Sequence, residues 1–271
     1  MLFFAGVSYD VKHIDYDYTK YLGPDYKDKQ ETKNIKLLIS NHLGMYDAPM
    51  LNLVFGPSFC PTGGFKTVPV FGRILQCINC IFMPRGTSEE IKQQAVEAIV
   101  ERVKQNEEEP SMPPLICFPE GGTGTGVGVI TFKRGAFVAE KPIKPIFMKV
   151  YWSLTSGINS LSLTLGLNHL TFMHLSVGPH YVTLNVLPDF YPNEYLFENH
   201  KENYDAESNE NQRWKSYAFA LREIMVDAGQ FDEEPYQVKD KMMYERFMAE
   251  FREDIVMDDE YKLKYVELGE D

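Results

Sequence analysis

The chain has 271 residues, 44% hydrophobic and 13% aromatic, enough to bury a full core in one large domain or one domain with an appendage. Its formal charge of −12 is unevenly spread: residues 1–190 hold 17 basic and 17 acidic side chains, residues 191–271 hold 10 and 22. The acidic excess argues against a nucleic-acid partner, while the balanced first two thirds stay able to bind an anion.

The opening "MLFFAGV" is shorter than the usual signal-peptide core and lacks a basic start. It reads as part of an N-terminal arm, residues 1–34, that could dip into a membrane. No apolar run approaches the roughly 20 residues of a spanning helix. The first strand is expected over "IKLLIS", residues 35–40, and the first helix over 47–55. Helices then follow at roughly 68–76, 88–105 and 133–140, interleaved with strands at 79–84, 115–120, 143–150 and 181–187. The helix over 88–105 has Thr87 and Glu90 as a capping box and Ile91, Ala95, Ala98, Ile99 and Val103 on one face. Strand–helix alternation with near-continuous apolar strands predicts an α/β fold, a largely parallel central sheet flanked by helices. "LSLTLGLNHLTFMHLSVG", residues 161–178, fits an interfacial segment and a core element equally. A helix over 211–229 ends with Gly229 at the C′ position. Residues 230–271 form an acidic helical extension with Met243, Phe247, Phe251 and Ile255 at helical spacing, a stripe that docks on its own domain or on a protein partner.

Chemistry concentrates at the strand ends. In "SNHLGMYDAPML", His42 leaves the first strand and Asp47 opens the next helix. On an α/β sheet such a loop faces the ligand crevice, and a carboxylate that fixes one imidazole nitrogen leaves the other as a general base. The bland alternative has both residues supporting the turn. A second block, "LICFPEGGTGTG", brings Glu120 with Gly121 and Gly122 to another strand end, where glycine permits close approach of backbone N–H groups to an oxyanion. A third, ending "INCIFMPR", places Arg85 at the end of the expected 79–84 strand, suited to a bidentate grip on phosphate. Base, acid and guanidinium together describe a substrate with a hydroxyl and a phosphate.

In this order and at these separations, "NHLGMYD", "FGRILQCINCIFMPR", "FPEGG" and "IKPIFM" resemble the four motif blocks of the glycerolipid acyltransferases, most closely the lysophosphatidylcholine acyltransferase branch. The resemblance covers roughly residues 35–190, more faintly to about 228, within a domain of 35–229. It implies a glycerolphosphate-acyltransferase-like fold with His42 as base and Asp47 as its orienter. It also implies Arg85, Glu120 and Gly121 on the glycerol-phosphate, with Gly122, Thr123 and Lys133 nearby, and Pro145 shaping the apolar part of the site. Acyl-CoA would be a co-substrate, with no bound cofactor or metal, and a membrane lipid such as lysophospholipid the acceptor. One departure stands out: the family's F-P-E-G-T reads F-P-E-G-G here, with Thr123 one place later. That raises the alternative of an accessory subunit that keeps the fold and binds phospholipid without turnover. The location implied is an intracellular membrane, endoplasmic reticulum or mitochondrial.

Other motifs carry less. Four cysteines do not make a disulfide framework in a chain this long, and Cys77-x-x-Cys80 lacks a second pair for zinc. "GTGTGVG" matches no nucleotide-binding loop, His169, His174 and His180 read as packing or surface residues, and no G-x-S-x-G occurs.

Overall fold

A computed structural model of the chain describes residues 7–26, 35–44, 47–84, 88–152, 180–201 and 212–251. Its elements in chain order begin with β1 (Val7–His13), α1 (Thr19–Leu22), β2 (Leu37–Ser40), α2 (Asp47–Phe55), α3 (Phe71–Cys77) and α4 (Glu89–Glu108). There follow β3 (Leu115–Cys117), β4 (Gly128–Val129), β5 (Lys144–Trp152), β6 (His180–Val186), α5 (Glu194–Asn199), α6 (Trp214–Gly229), β7 (Asp232–Glu233) and α7 (Val238–Phe251).

The five-stranded central sheet has the order β1-β6-β5-β2-β3. Every neighbouring pair is parallel except β5 and β6. Alternation along the strands sorts the core into two layers. Leu37, Ile39, Leu115, Cys117 and Phe147 pack on one side with Ile99 and Val103 of α4 and Leu221 and Ile224 of α6. Leu38, Ile116, Ile146 and Met148 pack on the other with Met50 and Leu51 of α2. A sheet covered on both faces needs apolar residues at consecutive positions, which is why β2 and β3 read as unbroken apolar runs. Each fully buried Leu, Ile or Met contributes roughly 1.5–3 kcal/mol by leaving water.

Several elements differ from the sequence reading. Residues 79–84 form no strand: Asn79 takes φ 58°, and the segment bonds back to residues 59–63, with only a bridge between Thr62 and Met83. Residues 133–140 shrink to a 3-10 turn at Arg134–Ala136, because Glu140 adopts φ 48° and breaks the helical path. The N-cap of α4 is Ser88, whose hydroxyl accepts from Ile91 N, one place after the expected cap. Gly229 is the last residue of α6, and the left-handed position falls on Gln230 at φ 49°. Within residues 1–34, β1 pairs along β6 in the main sheet and Tyr18, Tyr21 and Leu22 join the core. In α7 the residues that dock are Val238 and Met242, against Ile130, while Met243 is 65% exposed. The stretch 161–178, with His169 and His174, lies outside the described residues, as do Thr87 and Ile255. No helix among the described residues is long and apolar enough to cross a membrane.

Candidate active site

Where β2 ends, Asn41 continues the sheet with its side chain. Its Nδ2 donates to Met148 O at 3.0 Å and its Oδ1 accepts from Met148 N at 2.8 Å. This amide mimics a backbone ladder pair on β5, so the next residue, His42, is free to turn off the sheet edge. Asp47 starts α2 with only 1% of its surface exposed. Its Oδ2 accepts from Leu43 N at 2.6 Å and Gly44 N at 2.9 Å and contacts His42 Nδ1 at 2.5 Å. A carboxylate only accepts, so the proton of the neutral imidazole sits on Nδ1 and Nε2 is left with a lone pair. The His42 side chain is 26% exposed, open to a substrate.

The loop after β3 grips the same histidine from three directions. The Phe118 ring stacks on the imidazole with centroids 4.1 Å apart and planes at 13°. Glu120 Oε1 accepts His42 N–H at 2.9 Å, and Gly124 N–H donates to His42 O at 2.6 Å. His42 is thereby fixed at ring, amide and carbonyl. Glu120 is buried, and burial pushes its carboxyl up to about 7, with hydrogen bonds from the amides of His42 and Ile130 pulling it down and the Asp47 carboxylate adding to the rise. One of its oxygens is thus engaged inside the protein, where the family resemblance implied a contact to substrate; among the described residues Oε2 has no hydrogen-bond partner.

Gly121 has φ 74°, in the left-handed region that favours glycine, and a Cβ there would meet the flexible end of Lys133, 2.6 Å from its Nζ. Lys133 is exposed and brings its ammonium beside the loop. Gly122 is crowded from the other side: a Cβ would meet Val238 Cγ2 of α7 at 2.7 Å. Next to it, Lys241 of α7 donates to Thr123 Oγ1 at 2.8 Å and to Thr123 O. The glycine at the family's threonine position therefore makes room for the C-terminal helix. Further along, Asp232 N donates to Val127 O, Glu234 N to Val129 O and Thr131 N to Tyr236 O, so residues 121–131 are stitched to residues 232–241. Arg222 of α6 locks this seam through Val129 O, Ile130 O and Glu233 Oε1.

Of the residues singled out by sequence, His42, Asp47, Glu120 and Gly121 converge, with Lys133 at their margin. Gly122 and Thr123 belong to the same loop but face α7. Pro145 is buried in β5 opposite Ile39, inside the sheet beneath the loop. Arg85 lies outside the described residues. Sequence reasoning missed Asn41, Phe118 and Lys241. Asn41 had a signal, a polar residue ending a buried strand, and Phe118 lies in the quoted block; Lys241, 118 residues from Thr123, had none.

Residues 25–149 match the family described as Acyltransferase. The lysophospholipid acyltransferase LPEAT1 of Arabidopsis thaliana is 26% identical over 216 residues, 79% of this chain and 50% of that protein. The human lysophosphatidylcholine acyltransferase 1 is 26% identical over 113 residues, 42% of this chain and 20% of its own length. The chain thus spans about half the length of the first relative and less of the second. A crystal structure of the 1-acyl-sn-glycerophosphate acyltransferase of Thermotoga maritima aligns with TM-score 0.45 and 13% identity, over 81% of this chain and 73% of that one. The matched stretch holds His42, Asp47, the Glu120 loop and Pro145, and over these residues the chain is similar to the acyltransferase family.

Proposed function

We propose that the chain is an acyl-CoA-dependent O-acyltransferase that places a fatty acyl group on the free hydroxyl of a lysophospholipid, with lysophosphatidate and glycerol-3-phosphate as related acceptors. One observation carries this reading: His42 Nδ1 lies 2.5 Å from a buried carboxylate while the ring stays partly exposed. In the proposed reaction His42 Nε2 takes the proton of the acceptor hydroxyl as its oxygen attacks the thioester carbonyl. A carbon–oxygen bond forms, the carbon–sulfur bond breaks, and the proton on the imidazole passes to the departing coenzyme A thiolate. No acyl-enzyme is formed. Asp47 holds the tautomer and offsets the charge that develops on the ring. The Gly121 turn and Lys133 are the proposed anchor for the acceptor phosphate, with Arg85 as the further cation that the family resemblance implies. Acyl chains on both substrates favour work at a membrane surface, of the endoplasmic reticulum or the mitochondrion.

The test is release of free thiol from acyl-CoA against a panel of lysophospholipids, lysophosphatidate and glycerol-3-phosphate. Release that depends on one of these acceptors, with the acylated product found by mass, supports the reading. A second reading, an accessory chain that binds phospholipid without turnover, draws on the engagement of Thr123 by Lys241. It gains if no acceptor elicits thiol and the chain stays bound to other membrane proteins through purification.

A further inference from the structure

Between Phe59 and Met83 the chain makes an excursion from the body through a closed neck. Ile81 N donates to Phe59 O at 2.9 Å, Met83 N to Pro61 O at 2.8 Å and Gly63 N to Met83 O at 2.9 Å. Beyond the neck, the 3-10 turn Gly63–Thr67 packs on α3. Gly72 is buried there, so close to the turn that a Cβ would meet Lys66 O at 2.5 Å, and Phe65 meets Phe71 edge-on at 5.7 Å. Leu75 is buried on the inner side of α3.

The outer side is apolar and bare. Val68 is 42% exposed, Val70 72%, Phe71 45% and Ile74 52%. Phe71 and Ile74 are three residues apart on one helix face. Val70 adopts φ 65°, a strained conformation for a β-branched residue. That strain turns an isopropyl group toward solvent, where it is 72% exposed. The charge pattern is as specific. From Ala48 to Ser88 the chain holds Lys66, Arg73 and Arg85 and no aspartate or glutamate, in a protein of net charge −12. Lys66 and Arg73 are both exposed on the excursion.

We propose that Val68, Val70, Phe71 and Ile74 form a monotopic docking face for a bilayer that contains anionic phospholipid, with Lys66 and Arg73 meeting the headgroups. An apolar tip flanked by Lys66 and Arg73, on a segment that carries no aspartate or glutamate, suits the boundary between acyl chains and anionic headgroups. The neck adjoins the site. The Phe59 ring lies 6.4 Å from Phe118 with the planes 14° apart, and Phe118 stacks on His42. The purpose of docking, delivery of acyl-chain substrates to His42, rests on the acyltransferase reading; the binding itself does not.

The experiment is vesicle flotation of the full chain with phosphatidylcholine alone and with phosphatidylcholine mixed with phosphatidylglycerol. The wild type should bind the mixed vesicles, less so at high salt. Phe71→Glu/Ile74→Glu should lower partitioning at least about tenfold with an unchanged melting temperature, since both side chains are exposed. Lys66→Gln/Arg73→Gln should lose the gain given by phosphatidylglycerol. With short-chain, water-soluble substrates and no vesicles, the glutamate variant should release thiol at the wild-type rate. Four outcomes would overturn the proposal: a wild type that binds neither vesicle, a glutamate variant that binds as wild type does, a variant that converts a dimer to a monomer in sedimentation, marking a face between two copies, or one whose melting temperature falls, marking a face covered by the chain itself. Vesicle binding without thiol release from any acceptor would sink the enzyme reading and leave the docking face standing.

Discussion

Glu120 Oε1 accepts the backbone N–H of His42 at 2.9 Å, joining two loops 78 residues apart in the chain. The contact uses a buried acid to place the histidine, and it makes the placement sensitive to pH. Burial raises this carboxyl from 4.5 to about 7, so between those values the folded chain holds the proton more tightly than the unfolded chain. Its contribution to stability is complete below about pH 4.5 and is lost as pH rises through about 7, a change on the order of 3 kcal/mol. Glu120→Gln removes that dependence. Relative to wild type, the variant should therefore gain stability between about pH 5 and about pH 8 in urea unfolding. A difference that stays flat, or shifts toward wild type, contradicts the buried carboxyl.

Asp47 serves three donors at once, so the outcome of its replacement separates orientation from folding. Asp47→Asn keeps the size and one acceptor oxygen but loses the charge and the forced tautomer. Turnover should fall roughly a hundred- to ten-thousandfold, with a loss of stability of about 1–3 kcal/mol from weakened bonds to Leu43 and Gly44. Steady-state kinetics beside a thermal melt distinguishes this from simple unfolding, in which both would collapse together.

Much of the site was legible because its signals are local. Helix α2 spans residues 47–55 as the apolar run and Asp47 suggest, and His42 and Glu120 leave neighbouring parallel strands as the pattern requires. The expected strand at 79–84 failed because an apolar, half-buried segment has the same composition whether it joins the sheet or folds back on its own neck; the left-handed Asn79 is the residue that decides, and its type alone does not announce it. The antiparallel β5–β6 pair was invisible for a related reason, since direction is set by the connection and both strands read equally apolar. The seam between residues 121–131 and 232–241 depends on contacts about a hundred residues apart, beyond any periodicity.

Asn41 supports the site from below. Its two bonds to Met148 are buried, so Asn41→Leu leaves the Met148 N–H and carbonyl without partners at a cost of about 1–3 kcal/mol each. The same change should cut turnover by releasing the residue before His42. A stability loss with full turnover would mean that the histidine is held by the loop contacts alone.

Gly122 and Val238 are predicted to be coupled. Gly122→Thr, which restores the residue usual at this place in the family, drives its Cβ to 2.7 Å from Val238 Cγ2 and should destabilise by about 1–3 kcal/mol. Adding Val238→Ala opens the space and should recover most of that loss, a coupling near 1 kcal/mol in a double-mutant cycle. Additive effects would show that α7 does not dictate the glycine.

The base assignment is decided by the turnover of His42→Ala on the acceptor that wild type uses best, followed as thiol release alongside a thermal melt. With His42 as the group that takes the hydroxyl proton, the rate falls about a hundredfold or more while the melt and the acceptor-independent background stay unchanged. A rate within a few-fold of wild type would place the base elsewhere and leave the His42–Asp47 pair a structural turn.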